Sequence, residues 1–362
     1  MKKVLLGTTA LVAAGLLAQP ALASDPIKLQ VKGYYQNLVT FSDVDEPAGS
    51  TANYKDAQFR HEGEVHFKGE TKLDNGLTVG FDAQLEIVNV GLSGGQPRDM
   101  DETYMYFSGG FGKLQLGAEN GAAYLLHTGV PSVGLGFDDR NFGPVVANTG
   151  HNRPNISGDT AKGTYFTPNM GGFQAGVSYS PNVDHQGLSG NGFNVMTVAT
   201  GSVEDVVGLG LKYSGKFGGA SVAVSGGYET GSVVGGGSNV DPEIWALGLN
   251  VGFGGFTVGA SYGDSENYTS GNSTVTPGLD STIWALGVAY KTGPWGVSAG
   301  YQTADNEISG VSSNGSGDEY ELAASYQLGA GVQLRGGLIH ADMDLASESS
   351  TTTLFVGTFL TF

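Results

Sequence analysis

Serine, histidine and acidic residues occur in this chain at spacings that catalytic and metal sites use. The segments GLSGG (91–95) and GVSAG (296–300) fit G-x-S-x-G, the turn between a strand and a helix that exposes a nucleophilic serine. Neither segment precedes a helical pattern, and a chain with 61 glycines produces such matches by chance. The two histidines of HEGEVH (61–66) are five residues apart, so on a strand they point to opposite faces and do not share a zinc ion. The sequence therefore predicts that the protein is not an enzyme.

Two acidic segments carry carboxylates at spacings that suit calcium. They are SDVDEP (42–47) and RDMDET (98–103), and Ca²⁺ prefers oxygen ligands of this type. The alternative is that both are solvated acidic loops, and we favour it. We predict no cofactor, with Ca²⁺ in these loops as the one metal to consider.

The start of the chain predicts export from the cytoplasm. Lys2 and Lys3 precede an apolar stretch, and Ala21-Leu22-Ala23 provides an A-x-A cleavage site. This is the pattern of a secretory signal peptide over 1–23, and the apolar stretch is too short for a transmembrane helix. A mature chain is expected to cover 24–362, and it would form a single domain.

Composition excludes several classes of partner. Without Lys2 and Lys3, 15 of the 17 Lys and Arg remain against 35 Asp and Glu, a net charge of −20. Phosphate binding needs clustered cations, so nucleic acid is not an expected partner. Disorder is excluded as well, because 40% of the residues are hydrophobic and 10% are aromatic. The chain has no Cys, so stability cannot come from disulfides.

Alternation of apolar and polar residues is the dominant pattern. IKLQVKGYYQ (27–36) and LTVGFDAQLEI (77–87) both have a period of two, which is typical of half-buried strands. Short Gly-rich turns, as in GFGGFTVGASY (252–262), join many of these strands at one end. Long polar stretches, such as 264–282, join them at the other end. Tyr residues lie near the strand ends on the apolar parity, as in the aromatic girdles of membrane barrels.

Short turns, long loops and strands of about ten residues predict a transmembrane β-barrel rather than a soluble sandwich. We count 16 antiparallel strands, which begin near residues 27, 59, 77, 102, 112, 161, 173, 206, 219, 244, 256, 282, 295, 319, 332 and 351. Lipid does not satisfy an open sheet edge, so the first and last strands are expected to pair. The last strand, TTTLFVGTFLTF (351–362), would close the barrel and place Phe362 at the membrane edge.

The chain resembles the general-diffusion porins of Gram-negative outer membranes, in particular their alphaproteobacterial branch. The resemblance runs from Ser24 to Phe362. It is carried by LQVKGYYQ in the first strand, GGFGKLQLG before a long loop, YFTPNMGGFQAGVSY after that loop, and LFVGTFLTF at the end. It implies a homotrimer in the outer membrane, in contact with lipid and lipopolysaccharide. It also implies that Phe362 is a recognition signal for the barrel assembly machinery.

The resemblance further implies an inward-folded constriction loop within 120–159, a segment that lacks alternation. The acidic candidates for this constriction are Asp138 and Asp139, with Glu119 just before the loop. Pro131-Ser132-Val133-Gly134 stands where the family has Pro-Glu-Phe-Gly-Gly.

The resemblance also implies that basic residues of the first strands face this loop. Parity selects Lys32, Arg60 and Lys68 as lumen-facing candidates, and Lys32 and Arg60 are the best placed for the constriction because their strands are adjacent. A polar lumen carries inward charges at many positions, so lining the channel is the simpler role for each of them.

These observations predict a water-filled channel for passive diffusion of small hydrophilic solutes and ions, with weak cation selectivity. A substrate-selective porin is the first alternative. An outer-membrane barrel enzyme is the second, and parity does not support the clustered Ser and His that it would need.

Overall fold

A single sheet of antiparallel strands closes on itself in the computed structural model. The structure describes residues 25–45, 54–87, 100–137, 152–184, 198–236, 240–269, 274–308, 315–344 and 348–362. Each strand pairs with its neighbour in sequence, and the last strand pairs with the first. The prediction of a closed 16-stranded antiparallel barrel is confirmed.

The strands begin close to the predicted positions. Their bounds are β1 (Lys28–Asp45), β2 (Ala57–Lys72), β3 (Thr78–Glu86), β4 (Met100–Gly109), β5 (Gly112–Ala118), β6 (Ala161–Phe166), β7 (Phe173–Asn182), β8 (Val203–Phe217), β9 (Ala220–Val233), β10 (Glu243–Phe253), β11 (Phe256–Thr269), β12 (Thr274–Thr292), β13 (Trp295–Ile308), β14 (Gly315–Gly329), β15 (Val332–Asp344) and β16 (Glu348–Thr361). A short helix, α1 (Ala122–Leu125), follows β5.

The two ends of the barrel differ in their connections. Two to six residues connect most strand pairs at one end, which we call the turn end, as between Phe253 and Phe256. Both chain termini of the barrel lie at this end. The opposite end, the loop end, carries longer connections after β1, β3, β5, β7 and β9. The connections after β11, β13 and β15 are short, because these strands extend through polar stretches such as 264–282, so the prediction of a long loop there is wrong. This asymmetry is typical of membrane barrels.

The last residue of the chain is bonded into the first strand. Gly33 N–H donates to the Phe362 carbonyl at 3.0 Å, and Phe362 N–H donates to the Gly33 carbonyl at 3.1 Å. A side chain at Gly33 would meet the Phe362 ring, because an added Cβ would lie 2.9 Å from its Cζ. The glycine therefore leaves space for the ring at the seam between β1 and β16.

Burial along the strands is the reverse of that in a water-soluble protein. Large apolar side chains are exposed on the outer surface, for example Phe253 at 68% and Leu211 at 63%. Polar side chains are buried inside the barrel, for example Glu229 and Glu321, each at 1%. No helix in the described ranges has the length and apolar character needed to cross a membrane.

Aromatic side chains form two outward-facing belts. Near the loop end, Trp284 packs on Tyr301 with ring centroids 5.1 Å apart. Near the turn end, Trp295 packs on Tyr326 at 4.5 Å. Trp295 and Tyr301 lie on the same strand and six residues apart, which is about 20 Å of strand. Aromatic rings that flank an apolar band of this size are the girdles of a membrane barrel.

Candidate pore constriction

The segment between β5 and β6 folds into the barrel, as the resemblance implied. Its described parts are an outgoing arm, 119–137, and a returning arm, 152–160. The outgoing arm contacts the inner wall successively at β7, β9 and β10, through Ala122 N–H to Ser178 Oγ (3.1 Å), Thr128 N–H to Ser225 Oγ (2.8 Å), and Asn250 Nδ2 to the Gly129 carbonyl (2.9 Å). In the described part of the loop these contacts all lie on one side of the lumen, and we call the opposite side, β1–β5, the open wall.

Glycines on the inner wall provide the space in which the outgoing arm lies. An added Cβ at Gly248 would lie 1.9 Å from the Thr128 carbonyl oxygen, and one at Gly210 would lie 2.4 Å from that of Ala122. Both contacts are with backbone, which cannot swing away as a flexible side chain can. Part of the high glycine content therefore serves to let the loop approach the wall.

Glu321 on β14 holds the tip of the outgoing arm. Its carboxylate accepts from Ser132 Oγ at 2.5 Å, from Leu135 N–H at 2.8 Å, and from Gly136 N–H at 3.0 Å. The resemblance places a loop glutamate where this chain has Ser132. Here the wall supplies the carboxylate, and the loop supplies the hydroxyl that donates to it.

Glu229 on β9 holds the returning arm in the same manner. It accepts from Ile156 N–H at 2.6 Å and from Ser157 Oγ at 2.6 Å. Hydrogen bonds to an ionised acceptor are about twice as strong as neutral ones, so two buried carboxylates are effective anchors for a loop backbone.

Lys162 on β6 connects the two roots of the loop, by which we mean its first residues after β5 and its last residues before β6. Its ammonium donates to the carbonyls of Glu119, Gly158 and Thr160, and the Thr160 contact is 2.9 Å long. Glu119 is itself only 8% exposed and accepts from Asn120 N–H at 2.7 Å. Burial raises the pKa of the Glu119 carboxyl, while the Asn120 hydrogen bonds and the Lys162 ammonium oppose this rise. Glu119 thus lies at the loop root.

His127 lies half-buried on the outgoing arm, near Arg153 of the returning arm. Neither ring nitrogen has a hydrogen-bond partner among the described residues. Burial, together with the positive charges of Arg153 and Lys212, lowers the pKa of His127 to about 4. The Arg153 guanidinium lies 3.7 Å from the centre of the Tyr124 ring, so the returning arm also packs on α1.

The open wall carries acidic residues next to a tyrosine. Tyr34 Oη lies 2.7 Å from a carboxylate oxygen of Glu62 and 2.7 Å from one of Glu64. His66 Nε2 lies 2.8 Å from the second oxygen of Glu64. His66 faces the lumen while His61 faces outward beside the Tyr35 ring, so the prediction that these two histidines cannot share a metal is confirmed.

The predicted basic residues lie on this open wall at different heights. Lys32 is opposite His66 in the register of β1 and β2, whereas Arg60 is opposite Leu38. Six residues, about 20 Å of strand, separate the two positions. Lys32 and Arg60 are therefore not brought together, because adjacent strands do not guarantee equal height. Lys68 pairs with Asp82 at 2.7 Å.

Two groups of carboxylates could hold a cation, and they share Glu102. One group adds Glu64 and Asp101 to it, and the other adds Glu119 and Asp159, with ligand atoms in each group within 4.8 Å of one another. Asp101 and Glu102 belong to the acidic segment 98–103, while most of the second segment, 42–47, lies on β1 up to Asp45. The prediction of no cofactor, with Ca²⁺ in the acidic segments as the one metal to consider, stays a prediction.

Some predicted residues lie outside the described part of the chain, and some important ones were missed. Asp138 and Asp139 lie outside the described residues. Glu229, Glu321 and Lys162 were not singled out from the sequence. Alternation marks each of them as lumen-facing, but it does not reveal which loop atoms they meet.

A closed barrel with an apolar outer band, a polar lumen and a loop seated inside it is a transmembrane channel. The chain belongs to the Gram-negative porin family, whose sequence model matches residues 7–344. The protein is therefore a channel of the outer membrane, and the prediction against catalysis is confirmed by membership in a family of non-enzymatic channels. No curated protein matches the sequence.

Solved structures share the fold at low sequence identity. A porin refined at 1.8 Å resolution is 23% identical, with a TM-score of 0.60 over 92% of this chain and 100% of that one. The anion-selective porin from Comamonas acidovorans is 18% identical, with a TM-score of 0.61 over 93% of this chain and 100% of that one. The trimer form of OmpT from Vibrio cholerae is 13% identical, with a TM-score of 0.60 over 93% and 100%.

Proposed function

We propose that the protein is a general-diffusion porin that passes small hydrophilic solutes and ions passively, with a weak preference for cations. The observation that carries this proposal is the loop anchored across one half of the lumen by Glu229 and Glu321. Such a loop narrows a water-filled barrel without closing it. The open half, lined by polar side chains of β1–β5, is then the permeation path.

Charge on the open wall supports the cation preference. Glu62 and Glu64 lie there, and carboxylates that line a pore favour cations by sign. We assign Asp138 and Asp139 to the constriction from the resemblance, and Glu119 would act on it from the buried loop root. Lys32, Arg60 and Lys68 oppose these charges, so the expected selectivity is weak. Screening by salt should reduce it further.

A substrate-selective porin is the alternative that the lumen leaves open. The tyrosines Tyr34, Tyr104 and Tyr106 line the open wall and would offer contact surface to one class of solute. We favour general diffusion, because the hydroxyl groups of these tyrosines already bond to carboxylates of the wall and are not free to bind a solute. The hydrogen bond from Tyr106 Oη to Glu70 is 2.6 Å long.

The same proposal covers the partners of the channel. The trimer form of Vibrio cholerae OmpT supports a homotrimer, with β1 and its neighbours as the contact wall. Phe362 would be read by the barrel assembly machinery. Outward carboxylates such as Glu243 and Asp318, held by tyrosine hydroxyls, would face lipopolysaccharide at the loop end. We also propose that the chain belongs to the alphaproteobacterial branch of the family and that residues 1–23 are a signal peptide that is cleaved off.

A vesicle-swelling assay tests the diffusion claim. Liposomes that contain the purified protein should swell in isotonic sugar solutions, at rates that fall steadily as the sugar becomes larger. Swelling no faster than in protein-free liposomes would contradict a diffusion channel. Rapid swelling for one sugar, out of line with its size, would favour the substrate-selective alternative.

Charge variants test the cation preference. Changing Asp138 and Asp139 together to Asn should bring the reversal potential in a KCl gradient closer to zero. The matched control is Asp305→Asn with Glu307→Gln, which removes two exposed outward charges from β13. If the control moves the potential as much as the test variant, the two loop carboxylates are not at the constriction.

A further inference from the structure

A cavity of about 380 Å³ lies on the open wall near the turn end of the barrel. Eight residues line it, of which three are lysines and only one is a carboxylate. The lysines are Lys32 on β1, Lys68 on β2 and Lys113 on β5, so three different strands bring positive charge to one place. In a chain with 35 acidic residues and only 17 basic ones, this concentration of ammonium groups needs a physical reason.

The three ammonium groups differ in how closely a carboxylate approaches them. Lys68 pairs with Asp82, a buried residue behind the cavity wall. Within the described ranges, Lys32 and Lys113 form no ion pair. The one carboxylate that lines the cavity, Glu70, accepts the hydroxyl proton of Tyr106 at 2.6 Å.

Tyrosine rings fix Lys113 without neutralising it. Its ammonium lies 4.9 Å from the centre of the Tyr106 ring and 5.6 Å from that of Tyr104. A cation held over ring faces keeps its full charge. Glu119 and Asp82 attract the Lys113 ammonium, whereas Lys68 repels it. Three ammonium groups nevertheless face only Glu70 in the lining of the cavity, and an anion between them would reduce their mutual repulsion.

We propose that this cavity is a binding site for small organic dianions, such as dicarboxylates or phosphate monoesters. Such a dianion accepts from the Lys32 and Lys113 ammonium groups together, and these charge-assisted hydrogen bonds are the strong kind. This inference rests on the proposed channel, since the ligand reaches the cavity through the lumen.

The position of the site makes access directional. Lys113 is the second residue of β5, directly after the short turn at 110–111, so the cavity lies near the turn end, which faces the periplasm in the proposed channel. The carboxylates of Glu62 and Glu64 lie farther toward the loop end, opposite Gln36 and Tyr34 in the register. An anion that enters from outside the cell must pass these charges, whereas one from the periplasm need not. Binding is therefore easier from the periplasmic side.

Single-channel recording with two dianions tests the proposal. Inorganic phosphate or succinate is added to one chamber at a time, at constant ionic strength, to a channel that conducts in KCl. We expect either dianion to lower the current and raise its noise, at lower concentration from the periplasmic side than from the other. The dianion that acts at the lower concentration identifies the preferred head group.

Variants assign the effect to the lysines. Lys32→Gln with Lys113→Gln should raise the half-effective dianion concentration by about tenfold or more, because two charged contacts are lost. Lys32→Gln alone should give a smaller rise. The matched control, Lys216→Gln, removes a lumenal lysine near the turn end on β8 and should leave the concentration unchanged.

The outcomes separate this site from the channel itself. Steady KCl conductance without any response to either dianion would overturn the site and leave the channel intact. An equal response from both sides, or an unchanged response in the double variant, would also overturn it. Absence of conductance would instead contradict the proposed function.

Discussion

Removal of the Glu321 carboxylate should release the tip of the constriction loop. In Glu321→Ala, Ser132 Oγ and the backbone N–H groups of Leu135 and Gly136 lose their acceptor. Hydrogen bonds to charged groups contribute about 1.5–3 kcal/mol each, and a buried N–H without a partner costs about 1–3 kcal/mol. The docked state should therefore weaken by on the order of 3–6 kcal/mol, a factor of about 10² or more in the ratio of docked to undocked loops.

Single-channel conductance in symmetric KCl measures this release. Glu321→Ala should conduct more than the wild type and fluctuate more, since the loop tip no longer has a fixed position. Glu321→Gln keeps one carbonyl acceptor and should have an intermediate effect. Ser132→Ala removes one donor of three and should have the smallest effect.

Glu307→Gln is the control for a general change in charge, because its side chain is exposed on the outward face of β13. It should conduct as the wild type does. If Glu321→Ala gives wild-type conductance and noise, the tip is not held by this carboxylate, and the loop is not the element that narrows the pore.

Further predictions concern assembly, packing and acid. Deletion of Phe362 removes both backbone bonds to Gly33 and should leave unfolded protein in the periplasm, while normal outer-membrane yield would contradict the seam described above. Gly248→Val should unseat the outgoing arm and raise conductance, with a larger effect than an outward substitution such as Leu249→Val. The lowered pKa of His127 means that the undocked loop takes up a proton first as pH falls below about 6.5, so docking should weaken by up to about 3 kcal/mol between that pH and about 4. His127→Asn should remove this part of the acid response in conductance, and an unchanged response would contradict it. The solubilised protein should migrate as a heat-sensitive species of about three times the monomer mass, as trimeric association implies.

Period-two alternation was sufficient to predict most of the fold. It placed the start of every strand except β12 within four residues, because a lipid-facing strand must be apolar on every second position. It also predicted the pairing of the first and last strands, since an open edge is not tolerated in lipid. The largest error in a strand start is at β12, which begins at Thr274 rather than near 282. This strand extends beyond the apolar band into a polar stretch.

The constriction was predictable only in outline. The sequence predicts that a loop between β5 and β6 folds inward, but it does not predict which wall residues anchor that loop. Alternation shows whether a side chain faces the lumen or the lipid. It does not show how far along the barrel axis the side chain lies, because the strands are tilted. The separation of Lys32 and Arg60 shows this limit. Glu321 shows another limit, since its partners are backbone N–H groups, which every residue type except proline carries.

The reversal potential of single channels in asymmetric KCl tests the central claim most directly. The full-length protein in a planar bilayer should give discrete conductance steps of constant size. At low salt the reversal potential should have the sign of a potassium preference, lie well short of the ideal potassium value, and move toward zero as both salt concentrations rise at a fixed ratio. A chain that gives no steps, or a reversal potential with the sign of a chloride preference at low salt, would contradict a weakly cation-selective channel.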